Sequence, residues 1–249
     1  MIELSHLSKN FGNFQAVKEV TLQIPRGEIF GFLGPNGAGK TTTIRMMAGL
    51  MKPTSGRVFL DGKDVLRQPE EAKSILGFIP DRPYLYEKLT GQEFLEFIAD
   101  LRGLEAGNSQ QKRIGELLNF FDLQGWRQEL VESYSHGMRQ RLVIAAALLH
   151  RPKVLIVDEP MVGLDPKGTR LVKGLFRDLA HKGVSIFMST HTLELAEEVC
   201  QRIGIINEGK VIALGNMQEL REKAKTTDAR LESLFLKLTG GEEAGELLG

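Results

Sequence analysis

The stretch Gly34-Pro35-Asn36-Gly37-Ala38-Gly39-Lys40-Thr41 sets glycines, a lysine and a hydroxyl in the order G-x-x-x-x-G-K-[ST]. Glycines let a backbone wrap a phosphate closely, with successive N–H groups turned inward. Lys40 is placed to reach the β- and γ-phosphates of a nucleotide, and Thr41 to offer a hydroxyl to Mg²⁺. The surroundings suit that use. The run Glu28-Ile29-Phe30-Gly31-Phe32-Leu33 before the loop reads as a buried strand. Thr41 to Leu50 reads as a helix whose N-terminal partial charge favours an anion. Such a loop says "nucleotide" without naming a reaction.

A second acidic site lies at Val154-Leu155-Ile156-Val157-Asp158-Glu159-Pro160, an apolar strand ending in two acids. Beside a phosphate loop, Asp158 is placed to hold Mg²⁺ directly or through water. Glu159, one residue on, points differently and can polarise an attacking water. The rival reading is that two acids merely stop a buried strand at the surface.

The elements that must carry these residues follow from periodicity. Ile2, Leu4 and Leu7, then Val20, Leu22 and Ile24, suggest half-buried antiparallel strands. Arg57 to Leu60 is a strand turning at Asp61-Gly62, and Ile75 to Ile79 is another. From Thr90 to about Leu149 the chain turns helical. Thr90-Gly91-Gln92-Glu93 matches a capping box, with Phe94, Phe97, Ile98 and Leu101 expected on one face behind it. The core resumes with the strand ending at Asp158, a helix after Pro166, a strand from Val184 to Met188 and a helix from Thr192. A strand from Ile203 to Ile206, a hairpin at Glu208-Gly209 and a charged helical tail to Leu238 follow; Gly240 to Gly249 is expected to fray. The expected fold is α/β: a P-loop core with a mixed, mainly parallel sheet, an N-terminal antiparallel β subdomain and an inserted helical subdomain. The expected division is 1–80 with 151–215 as nucleotide-binding core, 81–150 as helical subdomain and 216–249 as tail.

The bulk numbers exclude some classes. With 32 Lys plus Arg against 32 Asp plus Glu, the net charge is zero, which gives no electrostatic reason to expect a nucleic-acid partner. Cys200 is the only cysteine and reads as a small buried apolar residue in a reducing compartment. No run approaches the ~20 apolar residues of a membrane-spanning helix, and Met1-Ile2-Glu3-Leu4 lacks the features of a secretion signal. A membrane role would have to be peripheral.

Ser135-His136-Gly137-Met138-Arg139-Gln140-Arg141 opens a helix leading into the strand that ends at Asp158. It resembles the signature motif of ABC (ATP-binding cassette) ATPases, usually Leu-Ser-Gly-Gly-Gln followed by basic residues. Gly163-Leu164-Asp165-Pro166 resembles that family's D-loop, and Ser189-Thr190-His191 its switch histidine. The motifs stand in family order, so the chain resembles an ABC ATPase over essentially its whole length. The resemblance implies ATP and Mg²⁺ as ligands, with Gly34, Pro35, Asn36, Gly37, Ala38, Gly39, Lys40, Thr41 and Thr42 as the cradle. It implies a catalytic trio of Glu159, His191 and Lys40, and Mg²⁺ ligands Thr41 and Asp158. Phe11, before Gly12 in the early hairpin, resembles the aromatic that stacks on adenine, with ordinary packing as the alternative. The resemblance also implies a two-fold dimer, a homodimer by first choice. In it Ser135, Gly137 and Asp165 of one copy meet the nucleotide held by the other. A transmembrane permease subunit and a place at the cytoplasmic face of the cell membrane follow from the same likeness.

Some positions depart from the family pattern. Asp81 stands where a glutamine is usual; it is either a Mg²⁺ ligand or a solvated turn residue. In the signature Tyr134 replaces Leu, His136 the first glycine and Met138 the Gln, and a histidine would fit poorly if its backbone needed φ > 0. Tyr84 and Tyr86 form either a partner-facing surface or local packing. The tail Leu231-Glu232-Ser233-Leu234-Phe235-Leu236-Lys237-Leu238-Thr239 is similar to the ends of bacterial ABC-2-type exporter ATPases. Two other classes compete. Soluble ABC proteins acting on DNA or ribosomes resemble tandem or coiled-coil-split cassettes, and neither feature is found in this sequence. A P-loop kinase leaves Ser135 and His191 unexplained.

Overall fold

The computed structural model describes residues 1–82, 84–224 and 231–239. Alternating apolar positions set up the first unit. β1 (Ile2–Phe11) and β2 (Phe14–Ile24) pair antiparallel, with Ile2, Leu4, Leu7, Val20, Leu22 and Ile24 buried as their spacing requires. β3 (Ile29–Leu33) is buried at every residue. It is followed by α1 (Lys40–Met47), β4 (Ser55–Leu60), β5 (Lys63–Asp64), α2 (Pro69–Ser74) and β6 (Leu76–Ile79). Three helices come next: α3 (Gly91–Leu101), α4 (Asn108–Phe120) and α5 (His136–Leu148). Then come β7 (Val154–Asp158), α6 (Pro166–His181), β8 (Ser185–Ser189) and α7 (Leu193–Val199). β9 (Arg202–Asn207), β10 (Lys210–Gly215), α8 (Met217–Ala224) and α9 (Leu231–Thr239) complete the described chain.

One sheet, in the order β2-β1-β4-β5, is antiparallel throughout. The other, β10-β9-β3-β8-β7-β6, is parallel except for β10 at its edge. This is the wound α/β arrangement with an antiparallel N-terminal sheet that the sequence predicts. Its consequence is positional. β3, β8, β7 and β6 are consecutive neighbours, so the segments leaving their C-terminal ends share one rim of the sheet. Residues 34, 189–191, 158–159 and 81 all lie there, where open α/β sheets place their ligands.

Three details differ from expectation. α1 stops at Met47 rather than Leu50, because Gly49 turns to φ +69 and closes the helix. α3 has the full Thr90–Glu93 capping box, but Leu101 is exposed while Leu95 and Ala99 are buried. The helix packs on both α4 and α5, which turns its buried stripe away from Leu101. α2 is an additional helix, carried by Pro69 at its first turn with Glu70 and Glu71. Cys200 is only partly buried as a residue, but its thiol is enclosed and pushed above its usual pKa by burial. The stretch Gly240 to Gly249, expected to fray, lies outside the described residues.

Candidate functional site

α1 begins at Lys40 with Gly39 as its cap in a left-handed conformation (φ +107) and no side chain on its first-turn amides. Those N–H groups are therefore free to face an anion. The loop is pressed against its neighbours: a Cβ on Gly34 would sit 2.3 Å from the Ile206 carbonyl oxygen, and one on Gly39 2.5 Å from that of Ala16. Only glycine fits at either place. Ala38 is buried and accepts the Gly209 N–H at 3.0 Å, which ties the loop to the β9–β10 hairpin. Lys40 Nζ donates to the carbonyls of Gly34 at 2.6 Å and Pro35 at 3.0 Å. Burial holds its pKa below the usual lysine value, against the pull of Glu159 and Asp158.

Asp158 ends β7 beside Ser189 at the end of β8, and Ser189 Oγ donates to Asp158 Oδ1. Burial raises the Asp158 pKa; nearby Asp81 raises it further, while hydrogen bonds from Ser189 and Thr41 and the charge of Lys40 oppose the rise. A dry carboxylate with a second carboxylate near it and a hydroxyl on it fits a divalent cation. Among the described residues no cluster of three His, Cys, Asp or Glu could cage a metal unaided.

Glu159 sits at φ +50, the left-handed region that a glutamate seldom occupies. His191 Nδ1 lies 2.8 Å from Glu159 Oε1, and Thr190 Oγ1 donates to Oε2 at 3.3 Å. The strained backbone turns this carboxylate off the Asp158 direction, toward His191.

A single cleft of about 600 Å³ collects these groups: Phe11, Asn36, Gly37, Gly39, Lys40, Thr41, Thr42, Asp81, Asp158, Glu159 and His191. Gly34 and Pro35 border a smaller depression with Asn36, Thr190, His191 and Phe235. Phe14 also lines the cleft, opposite Phe11 in the β1–β2 register, and both rings are exposed. Lys9 Nζ lies 5.2 Å from the Phe11 ring centroid. The sequence reading missed Phe14, although a second aromatic just past the Gly12 turn was a usable signal. It also missed the Ser189 hydroxyl on Asp158.

Ser135, Gly137 and Asp165 are not in this cleft. Ser135 caps α5, accepting the Met138 N–H at 3.3 Å. Asp165 caps α6, accepting the Gly168 N–H at 2.8 Å, and lines a different depression. His136 is the first residue of α5 and has no positive φ, so the conformation that would exclude a histidine does not arise. Tyr84 and Tyr86 are exposed and meet edge to face, with Tyr86 also against Phe97, so outward surface and local packing both hold.

Comparison with known proteins gives a consistent result. The model of the ABC transporter family matches residues 17–162. The chain is 41% identical over 213 residues to the bacitracin transport ATP-binding protein BcrA of Bacillus licheniformis, covering 85% of this chain and 68% of that protein. A solved ATP-binding subunit of an ABC transporter is similar with TM-score 0.90 and 33% identity, over 96% of this chain and 99% of that one. The ATP-binding cassette MJ0796, a dimer in a post-hydrolysis state bound to ADP and Pi, is similar with TM-score 0.77 and 27% identity, over 87% of this chain and 98% of that one.

Proposed function

The chain belongs to the ABC transporter family as an ATP-binding, ATP-hydrolysing subunit, and from that premise we propose that it powers an exporter whose substrate passes through a separate transmembrane permease. The observation that carries the reading is the convergence of Lys40, Thr41, Asp158, Glu159 and His191 on one cleft. In the proposed roles, the amides of residues 37–41 and Lys40 hold the phosphates, and Phe11 with Phe14 offers a face to the base. Thr41 and Asp158, with Asp81 beside them, would hold Mg²⁺, which would neutralise charge on the transferring phosphate. Glu159 orients and deprotonates the attacking water, and His191 fixes the Glu159 carboxylate and reaches the γ-phosphate.

Ser135 and Gly137 lie away from that cleft, which supports a second copy, most simply an identical one, whose α5 tip completes the site. Asp165 would act at the same junction. No helix among the described residues is long and apolar enough to cross a membrane. We place the chain peripherally, at the cytoplasmic face of the cell membrane. Residues 1–80 and 151–215 would bind nucleotide, and 81–150 would pass motion to the permease together with the segment 81–89, where Tyr84 and Tyr86 are exposed. In the tail, α8 and α9 would brace the sheet through Leu220, Leu231 and Leu234. The export assignment rests on the likeness of residues 231–239 to exporter ATPases; the cargo is set by the permease.

The test is Glu159→Gln. It should keep ATP affinity while lowering turnover at least about a hundredfold, the usual contribution of a general base. Wild-type hydrolysis by that variant would remove Glu159 from the role.

A further inference from the structure

The turn that leaves Glu159 is gripped by the first turns of α5. Val162 N–H donates to the Glu159 carbonyl at 3.3 Å and Leu164 N–H to that of Met161 at 3.2 Å, so the chain folds tightly before Asp165 caps α6. Three residues of α5 meet this turn. Buried Gln140 donates from Nε2 to the Pro160 carbonyl at 3.3 Å. Gly137 lies so near that a Cβ on it would be 3.0 Å from the Gly163 carbonyl oxygen. The His136 ring covers Gly163: a Cβ there would fall 1.7 Å from His136 Cδ2 and 2.3 Å from Nε2. Gly163 is also at φ +79, so conformation and space each exclude a side chain. His136 and Gln140 are four residues apart on one helix face, so they grip the turn at both ends.

We propose that His136 is a positioning residue that locks the 160–163 turn onto the N-terminal tip of α5. The Ser135 tip serves the nucleotide of a second copy, and Glu159 serves the nucleotide of its own. With the ring in place the two move as one piece, so engagement of one site sets the carboxylate of the other. The inference rests on the two-copy reading above. It belongs to this chain, since a glycine at 136, usual in the signature it resembles, leaves no ring over Gly163. The ring acts by filling space, and neither nitrogen is required.

The test uses the full chain, with ATP affinity, thermal midpoint and kcat measured in parallel. His136→Ala should keep ATP affinity and thermal midpoint but lose roughly tenfold or more in kcat, since about 1 Å of misplacement can cost a hundredfold. His136→Phe should restore most of that loss. Wild-type kcat in His136→Ala would overturn the inference, as would failure of His136→Phe to rescue. Failure of the underlying reading would look different: the wild-type chain itself would not pair with ATP bound.

Discussion

At the scale of single residues, the site concentrates charge that the fold would otherwise avoid. Asp158 is buried with its pKa raised by desolvation, and Asp81 adds a like charge. A carboxyl whose native pKa lies above its unfolded one favours folding most fully below the unfolded value. That contribution fades as pH rises through the native value. At neutral pH the ionised group is therefore a cost to the fold. Asp158→Asn should melt at a higher temperature than the wild type at pH 7. The difference should shrink toward pH 4 as the wild-type carboxyl protonates, and hydrolysis should be lost. A melting series on both proteins decides it; an equal or lower midpoint for the variant at pH 7 refutes the cost. Residues of this kind were legible from sequence because phosphate and metal chemistry restricts their type and spacing. The Ser189 hydroxyl on Asp158 was not, since it depends on β7 and β8 becoming neighbours, whereas Phe14 was overlooked although the hairpin at Gly12 offered it.

At the scale of elements, caps and alternation were readable, whereas face orientation was not. The Thr90–Glu93 box forms as written, because it is a local bargain among four residues. The buried face of α3 depends on α4 and α5, which no local pattern reveals. The junction of α5 with β6 shows the same dependence. His150 Nε2 lies 3.0 Å from the Leu76 carbonyl, so it must carry the proton, while Nδ1 is buried without a partner among the described residues. Burial, and Arg102 after it, push the His150 pKa down to about 4. Here the sign is the reverse of Asp158. The unfolded chain takes up the proton first, so stability present above about pH 6.5 drains away as pH falls toward 4. His150→Gln can still donate to Leu76 but has no proton to gain. Its loss of thermal stability between pH 6.5 and 4 should be smaller than that of the wild type. Parallel slopes would show that His150 stays neutral in both states.

At the scale of the whole molecule, the cradle lines the cleft that holds Lys40 and Asp158, whereas Ser135 and Gly137 lie outside that cleft at the N-terminus of α5. The resemblance carried by the motifs already implied that the cradle and the Ser135 tip serve different copies; their separate placement in the fold is in keeping with it. If each site joins the cradle of one copy to the tip of another, two disabled variants can repair one another. Lys40→Ala removes the phosphate contact, and Ser135→Arg blocks the tip; each alone should hydrolyse almost no ATP. In a mixed dimer, the intact cradle of the Ser135→Arg copy faces the intact tip of the Lys40→Ala copy. One site of the two is then whole. At equal amounts half the dimers are mixed, so activity should return to at most roughly a quarter of the wild-type rate. If cradle and tip acted within one chain, every site in the mixture would carry a lesion and mixing would restore nothing.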